Sequence, residues 1–380
     1  MNTVIAETNI FKNNEVSTYT EYALKLLREM IETPSISGQE SLLSEKFLKL
    51  GNSEKVKTKK IENNIIFHGS NQSEKRKDLI FLSHIDTVSP AEGWKNDPYT
   101  AVLSDEKLYG LGSNDAGASV VTYFSLFKKL NELDKTYSLP FNLKFIAAAE
   151  EETSGKNGVS LCLDEFKNAE LVFVGEPTSM MVATAEKGLV VFDCTAKGET
   201  AHVAHNKGIN AISLAVEDIK WINSFKDPKP SNNLGSLKLT VSQINGGIKH
   251  NQLPSSCSFV VDARVTDTWS NEELLSTLKK GLHSSVEARS LRLNSSSLPQ
   301  SHCFWNVIES CDLQTYGSPT MSDQAILKDI PSVKCGPGDS IRSHTANEFI
   351  KTDEIRDGIE LFGKILNNYI QIKNSSKAYN

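Results

Sequence analysis

Five short polar clusters stand out in this sequence, three of them directly after apolar stretches, and their residue types are those that hold divalent cations. In Ser83-His84-Ile85-Asp86-Thr87 a strand-like period of two points His84 and Asp86 to the same side. A buried histidine standing alone is commonly just oriented by one carboxylate or carbonyl, so its neighbours decide the reading. Asp115 lies in Gly110-Leu-Gly-Ser-Asn-Asp-Ala-Gly117, a glycine-rich turn that brings a carboxylate, and its backbone, close to whatever binds there. That spacing matches neither the dinucleotide fingerprint nor a phosphate loop. Glu150-Glu151-Glu152 follows the apolar run Phe145–Ala149. Adjacent carboxylates repel one another, and at the end of a strand cations are the natural remedy. Glu176, in Val-Gly-Glu-Pro-Thr, again follows an apolar run, and His344 closes Gly336-Pro-Gly-Asp-Ser-Ile-Arg-Ser-His344-Thr.

Histidine nitrogens and carboxylate oxygens without a required thiolate suit a catalytic metal site more than a structural one. Asp115, Glu152 and Glu176 bring three negative charges against two divalent cations, and one hydroxide would bring the sum to zero. The chemistry expected is therefore metal-assisted hydrolysis. A serine or cysteine hydrolase has little support, since there is no G-x-S-x-G elbow and no cysteine in a nucleophile motif.

The elements that must position these residues alternate. Tyr19 to Phe47 reads as two helices broken at Pro34, with a Ser-x-x-Glu start. Apolar strands follow at Asn64–His68, Leu79–Ser83, Leu143–Ala149 and Leu171–Val174, with a helix at Ser119–Leu133. This predicts an α/β fold, a mixed and mostly parallel sheet with helices on both faces, with ligands beyond the carboxyl ends of its strands. Near Lys187 the pattern changes. Strands at Gly188–Ala196, Leu237–Ile244 and Cys257–Val265, with helices at Ala211–Phe225 and Asn271–Ser284, predict a smaller inserted α+β unit. The expected domains are 1–187 with 298–380, closing in a helix at Asp353–Tyr369, and 188–297 between them. No internal repeat is evident.

With 380 residues, 39% hydrophobic and 23% charged, the chain has enough apolar material for such a two-domain core. A net charge of −6 with dispersed Lys and Arg argues against a nucleic-acid partner. No run approaches the length of a bilayer crossing and the N-terminus lacks leader features, so a cytoplasmic protein with no membrane partner is expected. Six scattered cysteines indicate reduced thiols.

The set His84-x-Asp86, Asp115, Glu151-Glu152, Glu176 and His344, in this order and spacing, resembles the M20 family of metallopeptidases and deacylases. The resemblance implies two divalent cations, zinc first, with cobalt or manganese also accepted. His84 and Glu176 would hold one, Glu152 and His344 the other, and Asp115 would bridge them. It implies Glu151 as general base, Asp86 as the group orienting His84, and a cis peptide at Asp115-Ala116. The insertion is similar to the family's lid, which forms homodimers and closes over substrate. There Gly198-Glu-Thr-Ala-His202 matches the family's G-x-x-x-H, whose histidine stabilises an oxyanion in the partner's site, with His205 as its rival. Asn251 and Arg264 match substrate-contacting positions. Ala116-Gly117-Ala118-Ser119 departs from the family's usual basic or methionine-containing turn, which bears on subsite shape. Gly175-Glu-Pro-Thr-Ser179 and the His344 motif resemble the branch that deacylates ornithine and lysine derivatives. The implied substrate is a small acylated amino acid, N2-acetyl-L-ornithine first, with succinylated or carrier-linked relatives and dipeptides as alternatives. Arg342 is expected to meet a substrate carboxylate.

Overall fold

A computed structural model describes residues 10–377 apart from 13 and 206. Residues 1–9, where most of the leader reading falls, and 378–380, the end of the expected first domain, lie outside the described residues. The chain divides into two compact units. One comprises residues 1–184, 298–316 and 322–380, the other 185–297 with 317–321. The expected boundary after Lys187 lies at the short link between two strands, Val182–Glu186 and Gly188–Lys197.

The chain begins with α1 (Glu15–Ile31) and α2 (Ser41–Ser53). In α1 the buried residues Tyr19, Ala23, Leu27 and Met30 recur every three to four positions, which makes one continuous apolar stripe. The Ser-x-x-Glu signal, Ser37 to Glu40, does not form a capping box. Ser37 instead donates to the Asp86 carboxylate at 2.5 Å, and the Glu40 carboxylate accepts from Gly38 N–H and the Asn63 amide. Thus α2 starts without a side-chain cap, because both capping groups serve the loop beside Asp86.

The hairpin β1 (Lys57–Ile61) and β2 (Asn64–His68) is followed by β3 (Asp78–His84), β4 (Val102–Ser104), β5 (Lys107–Tyr109), α3 (Ala118–Asp134), β6 (Asn142–Ala148), β7 (Ala169–Gly175) and β8 (Val182–Glu186). The insertion carries β9 (Gly188–Lys197), α4 (Ala211–Ser224), β10 (Lys238–Gly246), β11 (Ser256–Val265), α5 (Asn271–Gly281) and β12 (Ser285–Ala288). The chain then runs through β13 (Ser296–Ser297), α6 (Phe304–Ser310), β14 (Thr315–Ser318), β15 (Ser332–Lys334), β16 (Phe349–Lys351) and α7 (Thr352–Lys377).

The main sheet runs β1-β2-β6-β3-β7-β15-β8. It is mixed: β6, β3, β7 and β15 are parallel at its centre, while β1, β2 and β8 pair antiparallel at the flanks. Every residue of β3 and β6 is buried, as expected of strands covered on both faces. Leu79 and Phe81 join the larger core with Leu27 of α1, Phe124 of α3 and Phe362 of α7. Ile80 and Leu82 face the other way, onto Val159, Cys162 and Phe166 of a 3-10 segment. The largely apolar runs of the sequence thus follow from strands whose two faces both meet cores, and the one charged residue inside them, Lys144 of β6, is buried against Asp78 and Glu165 at 3.0 and 3.1 Å.

The inserted unit has a four-stranded sheet, β10-β11-β9-β12, with antiparallel pairs throughout. Its alternation is real: Val190, Phe192, Cys194 and Ala196 of β9 are buried in one core with Ala215 of α4 and Leu274 of α5. Both helices carry local stop-start chemistry. Asn210 caps α4 through Ile212 N–H at 2.9 Å, and Ser270 caps α5 through Glu273 N–H at 3.0 Å. All six cysteines are free thiols. No helix of the described residues is long and apolar enough to cross a membrane.

Candidate metal centre

Three neighbouring parallel strands, β6, β3 and β7, deliver their carboxyl ends side by side, and the polar clusters lie just beyond them. His84 is the last residue of β3, Glu151 and Glu152 come shortly after β6, and Glu176 directly follows β7. Residues so placed inherit their positions from the ladder, which is why ligand sites gather at this edge of such sheets.

Asp115 arrives from a different direction, in an irregular turn between β5 and α3. The turn needs its glycines: Gly112 has φ +74°, and a Cβ on Gly117 would come within 2.4 Å of the Gly112 carbonyl oxygen. The Asp115-Ala116 peptide is cis, as the family resemblance implies. His344 lies in the loop before β16 with φ +59°, a left-handed backbone uncommon for a residue bearing a Cβ.

The carboxylate of Asp115 stands between two histidines. Its Oδ1 is 3.2 Å from His84 Nε2 and its Oδ2 is 3.6 Å from His344 Nε2. Glu176 Oε1 is 4.0 Å from His84 Nε2, and Glu152 Oε2 is 2.8 Å from His344 Nε2. Potential ligand atoms of His84, Asp115 and Glu152 lie within 4.8 Å of one another, as do those of His84, Glu151 and Glu176. The first of the three consecutive glutamates departs from the sequence reading. Glu150, with φ +55°, turns its carboxylate back onto Asn157, accepting from the backbone N–H at 3.0 Å and the side-chain amide at 2.8 Å. Only Glu151 and Glu152 face the cluster.

Asp86 does more than touch one histidine. The Nδ1–H of His84 donates to the Asp86 carbonyl oxygen at 3.0 Å, with the Asp86 carboxylate 3.5 Å away, so Nε2 is left facing the cluster. The two carboxylate oxygens of Asp86 also accept the backbone N–H groups of Glu151 and Glu152, each at 3.1 Å. One carboxylate thus aims His84 and holds the turn that carries both glutamates.

The electrostatics are those of a crowded anionic cluster, buried except at His344, whose side chain is 53% exposed. Burial, then the charges of neighbours such as Asp115 and Glu151, pushes Glu152 up to about 9. Burial and the Glu151 charge raise Glu176 well above the carboxylate range. Burial works against protonated His84, yet its bonds with Asp115 and Asp86 carry it well above the usual histidine value. Burial alone would raise Asp115, but the contact with His84 lowers it. The cluster lacks positive charge, and protons fill that role imperfectly.

Sequence reasoning missed Glu348, which is buried and accepts the backbone N–H groups of Gly112, Asn114 and Asp115 at 3.1, 2.8 and 2.9 Å. Burial pushes it up to about 8 against the pull of those donors. The only available signal was a glutamate four residues beyond His344. Arg342 lies near His344 in sequence, but its guanidinium is taken up by Glu354 in two bonds of 2.7 and 3.0 Å and covers the Phe349 ring at 4.6 Å. The fork expected to meet a substrate carboxylate is therefore already engaged.

His202, Asn251 and Arg264 belong to the inserted unit. His202 is exposed and accepts Ala204 N–H at its Nδ1, and its ring lies 5.7 Å from that of His205. Asn251 neighbours it, its carbonyl oxygen accepting Val203 N–H at 3.2 Å. Arg264 is forked onto Asp262 at 2.9 and 3.2 Å. A second group with metal-ligand composition, Glu170, His302 and Cys303, has a structural explanation. Both nitrogens of His302 are engaged, by the Glu170 carbonyl and by Phe304 N–H, and Lys373 is 2.5 Å from the Glu170 carboxylate.

Residues 80–368 match the model of peptidase family M20/M25/M40, a span containing every member of the cluster. The chain belongs to this family. It is an M20-type metallohydrolase. Among curated relatives it is 28% identical to an acetylornithine deacetylase of Proteus mirabilis, over 77% of this chain and 79% of that protein. It is 26% identical to an acetylornithine deacetylase of Yersinia pseudotuberculosis over 92% of this chain and 98% of the relative. Solved structures superpose over nearly the whole length. The aminopeptidase PepT of Bacillus cereus has a TM-score of 0.72 at 19% identity, covering 92% of this chain and 98% of its own. The YXEP protein of Bacillus subtilis, a dinuclear metal binding peptidase of the M20 family, has a TM-score of 0.70 at 14% identity, covering 93% and 99%.

Proposed function

We propose that this M20 hydrolase cleaves the amide of N2-acetyl-L-ornithine to L-ornithine and acetate, as a step of arginine biosynthesis in the cytoplasm. The observation that carries the metal part of the reading is the Asp115 carboxylate, whose two oxygens face two different histidines, each accompanied by its own glutamate. Two imidazoles and three carboxylates, with no thiolate, fit a pair of zinc ions, or cobalt or manganese. Acids held protonated by burial and mutual repulsion fit the same need. In this reading His84 and Glu176 hold one cation, Glu152 and His344 the other, and Asp115 both. The substrate part rests on the acetylornithine deacetylases among the relatives.

Bound there, the cations would polarise the amide carbonyl and make a water molecule acidic near neutral pH. Glu151 accepts the proton of that water as its oxygen joins the carbonyl carbon. It then delivers the proton to the ornithine nitrogen as the C–N bond breaks. Asp86 fixes the His84 tautomer and, through two backbone bonds, the place of Glu151. His202, contributed by the partner copy of a homodimer, stabilises the developing oxyanion, and Asn251 and Arg264 contact the substrate. For Arg342 to meet a substrate carboxylate its guanidinium would have to leave Glu354.

The test is ornithine release from N-acetylornithine and N-succinylornithine, with chelator and with zinc or cobalt restored. Chelator-sensitive release from the acetyl compound alone supports the proposal. Release only from the succinyl compound reassigns the acyl group. Cleavage of dipeptides with neither acylornithine consumed sinks the substrate assignment.

A further inference from the structure

The two halves of the metal cluster are held by different means. His84 ends β3 and Glu176 directly follows β7, and these strands are hydrogen-bonded to each other in register, so the sheet ladder sets the separation of this pair. Asp115 and His344 are not at strand ends, and the β5–β16 ladder that joins their segments comes no nearer than Tyr109 and Phe349, several residues away. Asp115 is in a turn with φ −116° and ψ 103°, and His344 is in a loop with φ +59°.

Two side chains bridge these irregular segments, one from each. Glu348, 2% exposed, reaches from the His344 loop into the Asp115 turn. Its Oε1 accepts the N–H of Asn114 and of Asp115, and its Oε2 accepts that of Gly112, while its own carbonyl accepts Gly110 N–H at 3.1 Å. Asn114, fully buried, reaches the opposite way. Its Nδ2 donates to the Asp339 carbonyl at 3.0 Å, its Oδ1 accepts Asp339 N–H at 3.1 Å, and Nδ2 is 3.4 Å from Ser343 Oγ. A Cβ on Gly338 would meet Asn114 Oδ1 at 2.4 Å, so that glycine leaves room for the bridge. The His344 loop is therefore tied to the Asp115 turn on both sides, before His344 at Asp339 and after it at Glu348.

Resting on the two-cation reading above, we infer that Glu348 and Asn114 are positioning residues, a brace that sets the separation of Asp115 and His344 and thereby the affinity for the cation on the His344 side. Without Glu348, three buried N–H groups of the Asp115 turn lose their acceptor, and the turn must shift to find another. The other cation keeps His84 and Glu176, which the ladder anchors, and feels the brace only through the shared Asp115. A general stabilising role would weaken both cations equally, whereas a brace weakens the one on the His344 side more.

The experiment titrates metal-free protein with cobalt(II), reading stoichiometry by equilibrium dialysis and coordination by visible absorption. Wild type is compared with Glu348→Gln, Asn114→Ala and, as the reference for loss of one ligand, His344→Ala. Glu348→Gln keeps the size of the side chain but offers one acceptor oxygen to three donors. Both brace variants should bind the cation on the His344 side roughly ten- to a hundredfold more weakly, the range typical of groups that orient ligands, and the other with a clearly smaller loss transmitted through Asp115 alone. Their spectra at one equivalent should match that of His344→Ala, with cooperative unfolding preserved. Two cations bound with wild-type affinity in both variants, or equal weakening of both cations, overturns the brace while leaving the two-cation reading intact. Fewer than two cations on wild type overturns that reading, and the brace with it. If Glu348→Gln does not fold, Asn114→Ala decides on the same readout.

Discussion

The metal-free protein should become less stable as pH rises through the neutral range, the reverse of what salt-bridged carboxylates produce. Glu152 binds its proton up to about 9 in the fold, against 4.5 for the ordinary side chain, and Glu176 is shifted in the same direction. Between those values the folded chain carries a proton that the unfolded chain has released, so stability falls with pH. His84, also raised, acts with the same sign above its ordinary value of 6.5. The depressed Asp115 acts oppositely but only below 3.8, outside this window. One group held protonated across three pH units loses about 4 kcal/mol, at about 1.4 kcal/mol per unit. Because Glu152 and Glu176 share one pocket and Asp115 with it, a net loss of about 2–4 kcal/mol between pH 5.5 and 8.5 is expected. Urea unfolding of chelator-treated protein at a series of pH values measures it. With zinc restored the slope should become shallower or reverse, because the ligands must shed protons to bind, while Glu348, pushed up to about 8 and no ligand, keeps its share; calorimetry in buffers of different ionisation enthalpy should count at least one proton released. Metal-free stability that is flat or rises with pH would refute the argument that the buried carboxylates are the source of the site's demand for cations.

Glu151→Gln should lower kcat by roughly 10²- to 10⁴-fold while cobalt binding stays near wild type, which steady-state kinetics and dialysis check together. Full activity in that variant would remove Glu151 from the proton transfer. Gly175→Ala places a methyl 2.8 Å from Ser119 and Tyr123 carbons and 2.9 Å from the Ser83 Cβ, so a stability loss of about 1–3 kcal/mol in denaturant titration is expected. A double-mutant cycle on Arg342 and Glu354 should return a coupling of about 1 kcal/mol in stability, modest because both groups are partly exposed. If Arg342→Ala instead raises KM strongly with stability unchanged, the guanidinium serves the substrate and not Glu354.

Much of this protein was legible in the residues themselves. The apolar runs at 64–68, 79–83, 143–149 and 171–174 mark strands because a strand buried on both faces leaves few positions for polar residues, and the structure places β2, β3, β6 and β7 there. Alternation at Gly188–Ala196 marked β9 for the complementary reason, one covered face. The short flanking strands β4, β5 and β16 were not visible, since three residues carry no period and are strands only because partners lie beside them. Capping at Ser37–Glu40 failed as a local signal because Asp86 and Glu150, far away in sequence, claimed those groups.

For the site, residue type and spacing alone determined the chemistry on offer: imidazoles and carboxylates after strands, without a thiolate or serine nucleophile. What they could not determine was the assignment of each group. Glu150, Glu151 and Glu152 are equivalent as letters, and only a left-handed backbone at Glu150 turns one away from the other two. Arg342 reads as a free cation until Glu354 is found beside it. Glu348 reads as one more surface acid until it is found beneath three amides. Side-chain chemistry is carried by each residue wherever it goes, but protonation, pairing and orientation depend on neighbours brought from distant parts of the chain, and those only the tertiary structure decides.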